Sequence, residues 1–345
     1  MTSLNFRTNT YDTVTSTYQI RKSRRCCPFH SSGNSLFFSL VDYRNNYFTS
    51  DDPDKIIEFY NGFENRDQLI QWMKERPKGV ANIREIDGDK DIIVVIPTAD
   101  FNGKYAMECR ENIFRGLHII FVESAEIPDP YFNGAHNVNV GIKKALEYNP
   151  KWIVFSNDDM YMVDAPERLK NELFGLDPDK FDILFIEGSK YHSKIRYIGK
   201  ITGLYKLYLR ILPWINGQLL LSLHNKFKVR YHSISWRGIF SLTFSKIIRY
   251  RDFTDFLIVS INYSRSQEGY IFDEIYINSR EDTDLSLRVV SENLKYRHIK
   301  YQIGDFIGST MGNGLDRALR SYSSYTYFNW KWERYFEEYT SKERQ

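Results

Sequence analysis

Four short runs of apolar, largely β-branched residues recur between residues 91 and 187: DIIVVIPT, HIIFVES, KWIVFS and FDILFIE. A continuous run of this kind, rather than an alternating one, is what a strand covered on both faces requires. Between the runs lie helix-compatible stretches, KYAMECRENIFR, VNVGIKKALEYN and APERLKNELFG, with a loop carrying Pro128, Pro130 and Gly134 before the second. Strand and helix alternating at short spacing specify βαβ units and an α/β fold with a mainly parallel sheet flanked by helices. Ligands of such sheets bind beyond the carboxyl ends of the strands. Those ends carry Pro97-Thr98-Ala99-Asp100, Glu123-Ser124 and Asn157-Asp158-Asp159, so all three polar clusters are expected to line one crevice.

The flanking segments have other textures. Residues 1–34, rich in Thr, Ser, Arg and Asn, read as a flexible arm. Residues 35–90 read as a cap on the main domain, with a strand-like piece (SLFFSLVDY) and two helical stretches. The second of these sets Leu69, Ile70, Trp72 and Met73 at 3–4 spacing and stops at Pro77 and Gly79. Residues 311–345 form a tail whose end, Tyr325 to Arg344, reads as a packing helix.

Composition narrows the class. With 42% hydrophobic and 26% charged residues, the 345-residue chain is of globular type and long enough for a sizeable core. Three cysteines (Cys26, Cys27 and Cys109), two of them adjacent, make no disulfide framework and suit a reducing compartment. The first residues lack the apolar core of a signal peptide, and no window holds 18 uninterrupted apolar residues. The expectation is a cytoplasmic protein, soluble or peripheral at a membrane.

The formal net charge of +3 conceals a segregation. Residues 188–251 contain 13 Lys and Arg and no Asp or Glu, which leaves the rest of the chain at −10. This basic insertion is also rich in Tyr, Trp, Leu and Ile. It reads as helices packed on the domain with solvated charges, as a surface for anionic lipid, or as a site for a phosphorylated acceptor. Single-stranded nucleic acid is the weakest alternative, because nothing in the segment matches a base-reading motif.

Two acidic constellations carry chemistry. Adjacent carboxylates in Asn157-Asp158-Asp159 repel unless a cation or hydrogen bonds offset them, and hard oxygen donors suit Mg²⁺ or Mn²⁺. The plainer reading is a polar turn capping the next helix. The second constellation is Phe272-Asp273-Glu274 followed by Glu281-Asp282-Thr283-Asp284-Leu285. Either Asp282 or Asp284 caps a helix starting at Leu285, or a carboxylate there acts as a general base.

Taken in order, IIVVIPT, HIIFVES, NGAHNVNVGIKKAL, WIVFSNDD, FDE and EDTDLSLR resemble the inverting family 2 glycosyltransferases of GT-A (Rossmann-like) fold. The likeness covers about residues 91–187 and 252–300, although Glu123 stands where the family has Asp and Val138 where it often has Arg. It implies nucleotide-sugar contacts from Pro97, Thr98, Asp100, Glu123, Asn139 and Asp158, and a metal (Mn²⁺ or Mg²⁺) on Asp159 and Asn157. It also implies that Asp282, with Glu281 beside it, is the catalytic base. On this reading residues 91–187 bind the donor and residues 252–310 form the acceptor half. A sugar would pass from a nucleotide diphosphate to a hydroxyl on a glycan, lipid-linked or protein acceptor. The alternatives are a non-catalytic nucleotide- or glycan-binding module on the same scaffold and a nucleotidyltransferase. The latter would want a glycine-rich basic loop where TADFNGK has one Gly and one Lys.

Overall fold

The structure is a computed structural model, and it describes residues 53–124, 129–186, 194–199, 247–252, 256–306 and 319–342. The expected N-terminal arm, the strand-like piece at 35–43 and most of the basic insertion lie outside the described residues.

Two short helices come first, α1 (Pro53–Asn61) and α2 (Arg66–Glu75). The Asn65 side chain caps α2 by accepting hydrogen bonds from the backbone N–H groups of Asp67 and Gln68, both at 3.0 Å. As the spacing implies, α2 buries Leu69, Ile70, Trp72 and Met73. The following strand, β1 (Ala81–Ile86), pairs antiparallel with β3 (Leu117–Ser124) at the edge of the main sheet. The segment expected as a cap packed on the main domain contributes its last strand to the sheet.

The remaining strands of that sheet are β2 (Asp89–Thr98), β4 (Trp152–Ser156), β6 (Ile183–Ile186), β9 (Phe256–Ser260) and β10 (Tyr296–Ile299). The seven lie in the order β1-β3-β2-β4-β9-β6-β10. Five run in one direction, while β1 and β9 oppose their neighbours. The result is a mixed sheet with a mostly parallel core, flanked by helices, of Rossmann-like type.

Both faces are covered, as the unbroken apolar runs require. On one face Ile92, Val94 and Ile96 of β2 pack with α3 (Lys104–Glu108, continued by a π-helical turn Cys109–Ile113) and α5 (Pro166–Phe174). On the other, Ile93 and Val95 meet α4 (Gly134–Leu146), α6 (Ile261–Ser266) and α7 (Glu281–Ser291). Helix α4 starts at Gly134, earlier than the apolar pattern suggests, because the Asn133 side chain accepts a hydrogen bond from His136 N–H at 2.9 Å. Gly141 lets this helix sit directly on the sheet. A Cβ there would overlap Val95 Cγ1 and come within 2.9 Å of Val122 Cγ2.

Two small antiparallel ribbons complete the strands. One pairs β5 (Met160–Met162) with β11 (Ile303–Asp305), and the other pairs β7 (Lys194–Gly199) with β8 (Ile247–Asp252). The basic insertion thus departs and returns on paired strands. The tail helix, α8 (Tyr322–Lys342), buries Tyr327, Phe328 and Trp332. Among the described residues no helix is long and apolar enough to cross a membrane.

Candidate functional site

The parallel strands β2, β3 and β4 end together at Thr98, Ser124 and Ser156. Helix α7 delivers the chain to Tyr296, which pairs with Ile183 at the start of β6. The helix therefore crosses back over the sheet, and its first turn lies at the edge where the parallel strands end. Topology brings Pro97 to Asp100, Glu123, Asn157 to Asp159 and Glu281-Asp282 to one edge.

One short link across this edge joins two of the expected residues. Thr98 is buried at 3% exposure, and its hydroxyl donates to Asp158 Oδ2 at 2.7 Å. Burial pushes the Asp158 carboxyl up to about 6; the Thr98 hydroxyl opposes this and the charge of Asp159 adds to it. The Asn157-Asp158-Asp159 turn leads into β5, not into a helix, so the helix-capping reading is corrected. The Asp159 carbonyl accepts the Phe306 N–H at 2.8 Å, which ties this turn to the end of β11.

Glu123 and Asp100 organise the loop after β2. Glu123 Oε1 accepts the Phe101 N–H at 2.9 Å, and its Oε2 accepts from Arg84 Nε at 3.1 Å. Exposed Asp100 accepts the Asn102 N–H at 2.9 Å in a local turn, and Pro97 is partly exposed beside it.

Asn139 has a different role from the one the family resemblance implies. It is fully buried, and its amide oxygen accepts the N–H groups of Ile271 and Phe272 at 3.1 and 3.0 Å. Its nitrogen donates to Phe272 O at 2.8 Å and Glu274 Oε1 at 3.0 Å. Four bonds saturate the amide. Asn139 clamps the 271–274 loop onto α4 and offers nothing further to a nucleotide.

The acidic first turn of α7 is also not a set of caps. The helix starts at Glu281, preceded by Arg280 at φ 76°, with no side-chain cap. Asp282 lies in the first turn, where its Oδ1 accepts the Thr283 N–H at 2.6 Å and the Thr283 hydroxyl at 3.2 Å. Glu281 sits beside it, half-buried. Asp284 points inward at 1% exposure and accepts from Tyr276 OH, Trp332 Nε1 and Lys331 Nζ at 3.0, 3.0 and 2.8 Å.

Several participants escaped the sequence reading. His136 Nδ1 lies 3.0 Å from Glu274 Oε2, and Lys78 Nζ donates to the Glu274 carbonyl at 2.6 Å. Lys331 bridges Asp273 and Asp284 from α8. The only available signal was the FDE triplet, which fixes where these groups converge without naming them.

Among the described residues no group of three or more His, Cys, Asp or Glu side chains could enclose a metal ion. Two adjacent carboxylates nevertheless suit Mg²⁺, which commonly binds one or two carboxylates together with substrate phosphates and water. No protein-family model matches the chain, and no curated protein matches it.

Proposed function

We propose that the chain is a metal-dependent inverting glycosyltransferase of GT-A fold, moving a sugar from a nucleotide-diphosphate donor to an acceptor hydroxyl. The observation that carries this reading is the Thr98–Asp158 bond. It joins the ends of β2 and β4 and sets two adjacent carboxylates on the edge that also holds the acidic first turn of α7. The unfavourable burial of Asp158 beside Asp159 is what a cation bound with a diphosphate would relieve. Asp158 and Asp159 would hold that Mn²⁺ or Mg²⁺, which would supply charge stabilisation for the departing diphosphate. Asn157 borders the pair.

Asp282 takes the proton of the acceptor hydroxyl as its oxygen bonds to the anomeric carbon and the carbon–phosphate oxygen bond breaks. Attack from the side opposite the leaving group inverts that carbon. Thr283 orients the Asp282 carboxylate through two hydrogen bonds, and Glu281 keeps the same turn acidic. Pro97, Thr98, Asp100 and Glu123 shape the loop proposed to receive the nucleoside. The basic insertion, 188–251, serves the acceptor side through an anionic membrane surface or a lipid-linked phosphate.

The test is release of nucleoside diphosphate from a panel of nucleotide-diphosphate sugars with Mn²⁺, after a thermal-shift screen for binding. Asp282→Asn and Asp159→Asn are each expected to lower turnover about 100-fold or more. Turnover untouched by Asp282→Asn sinks the assignment of the base. Binding without product points to the non-catalytic module, and pyrophosphate release from nucleoside triphosphates points to the nucleotidyltransferase. Sedimentation with anionic liposomes, with and without residues 200–246, tests the membrane role.

A further inference from the structure

An open cleft of about 650 Å³ lies between α2, the 270–275 loop, α7 and α8. Its volume is in the range of small-molecule sites. Lys74, Lys78, Arg288 and Lys331 all reach it. Two of these cations are spent inside the protein. Lys331 is held by Asp273 and Asp284, and Arg288 bonds Glu292, the Ile271 carbonyl and Gln267 at 2.9, 3.0 and 3.1 Å.

The other two are not. Among the described residues neither Lys74 nor Lys78 makes an ion pair; Lys74 Nζ lies 4.8 Å from the Trp330 ring centre, and Lys78 Nζ donates to Glu274 O alone. An ammonium carries three N–H donors, so half-buried Lys78 keeps two for the cleft. Burial and the neighbouring Arg76 guanidinium hold the Lys78 ammonium below its ordinary pKa range; Glu274 and Asp273 offset part of that cost, and a bound anion would offset more. Arg76 cannot supply that anion's contacts, because its guanidinium is committed to the carbonyls of Pro130, Tyr131 and Phe132.

The walls narrow the ligand class. Tyr270, one face of which carries Lys143 Nζ at 3.1 Å from the ring centre, and Tyr335, which meets Trp332 edge to face, bring aromatic surface of the kind on which the C–H face of a sugar ring packs. Asp273 and Glu274 are already engaged by Lys331, Tyr327, His136 and Asn139, so Glu292 is the wall carboxylate best placed to accept from a hydroxyl group, and the negative charge of all three disfavours a polyanion such as a nucleotide.

We propose that this cleft binds a sugar bearing a carboxylate or a phosphate, with the anionic group on Lys74 and Lys78 and the ring against the tyrosines. The site is lined from α2, the 270–275 loop, α7 and α8, none of its lining residues is among those proposed above to bind the donor or act as the base, and the proposal does not depend on the transfer reaction.

Titration calorimetry on the full chain tests it with four probes: a tetrasaccharide of alternating glucuronic acid and N-acetylglucosamine, glucose 6-phosphate, neutral maltotetraose and inorganic phosphate. One of the two charged sugars is expected to bind at least about tenfold tighter than maltotetraose, and which one separates carboxylate from phosphate. The Lys74→Met, Lys78→Met double variant should lose about tenfold in that affinity, while Lys78→Arg should keep it. Tyr335→Ala, a second variant with its thermal midpoint checked, should weaken the sugar and spare inorganic phosphate. Equal binding of charged and neutral sugars overturns the proposal. So does an unchanged double variant, inorganic phosphate binding as tightly as either sugar, or no binding at millimolar concentration. None of these readouts uses donor turnover, so failure of the transferase reading is seen separately.

Discussion

Lys331 on the tail helix reaches across to Asp284 on α7, its Nζ 2.8 Å from Asp284 Oδ2 and 2.7 Å from Asp273 Oδ2. A residue near the end of the chain thus neutralises a carboxylate two positions after the proposed base. Asp284 is 1% exposed, so removing its cation leaves a buried charge uncompensated. Lys331→Met is expected to cost about 3 kcal/mol, the low end for such a break because the lysine side chain is itself 29% exposed. Urea unfolding measures it. Adding Asp284→Asn should recover part of the loss, and strict additivity of the two changes would contradict the coupling.

The Glu274 carboxyl gives a pH-dependent signature. Burial opposes its ionisation, but hydrogen bonds from His136 and Asn139 outweigh burial and hold it below the ordinary value of 4.5. Its contribution to stability is therefore complete above pH 4.5 and is lost as pH falls through the folded value. Glu274→Gln should flatten that acid limb. An identical acid profile for wild type and variant, by circular dichroism, would count against the linkage.

Asn139→Ala should destabilise the chain by about 3 kcal/mol, because it strands the buried N–H groups of Ile271 and Phe272 and removes two donors. Amide exchange at Ile271 and Phe272 should accelerate more than at the sheet. A uniform acceleration would mean that the amide does not hold this loop in particular.

Gly141→Ala tests the close seat of α4. Helix propensity favours the alanine by about 1 kcal/mol. Overlap with Val95 and Val122 should nonetheless win, with a net loss of about 1–2 kcal/mol. A raised thermal midpoint would show that the helix can lift without penalty.

β1, β9 and β10 went unread as strands of the sheet, but β2, β3, β4 and β6 and their two-sided burial were legible because each run is apolar at successive positions, as a strand covered on both faces requires. Strand direction was not. FLIVS at 256–260 has no apolar asymmetry to separate parallel from antiparallel, and β9 opposes both neighbours. That Thr98 and Asp158 share one edge, though not the bond between them, followed from knowing that strand ends converge. The function of Asn139 did not, because its partners lie more than 130 positions away and no local pattern announces them. Asp282 and Asp284 looked like caps because acidic residues favour helix starts. Arg280, in the left-handed region, begins the helix a few residues sooner and turns one of them inward. Lys331 resembled any solvent-facing lysine in a charged tail until α8 was set against α7.

The position of β9 has a consequence for the order in which the molecule can assemble. β4 and β6 share no hydrogen bonds; each pairs with β9, whose Phe256 lies opposite Ser156 across the strand boundary. During synthesis, β1 to β4 can form one open sheet, but β6 has nothing to join until residues 256–260 have left the ribosome. The whole basic insertion is thus translated while the β4 edge stands unpaired. Such an edge invites wrong partners, and closing it across about 100 intervening residues makes this the slow, aggregation-exposed step of folding.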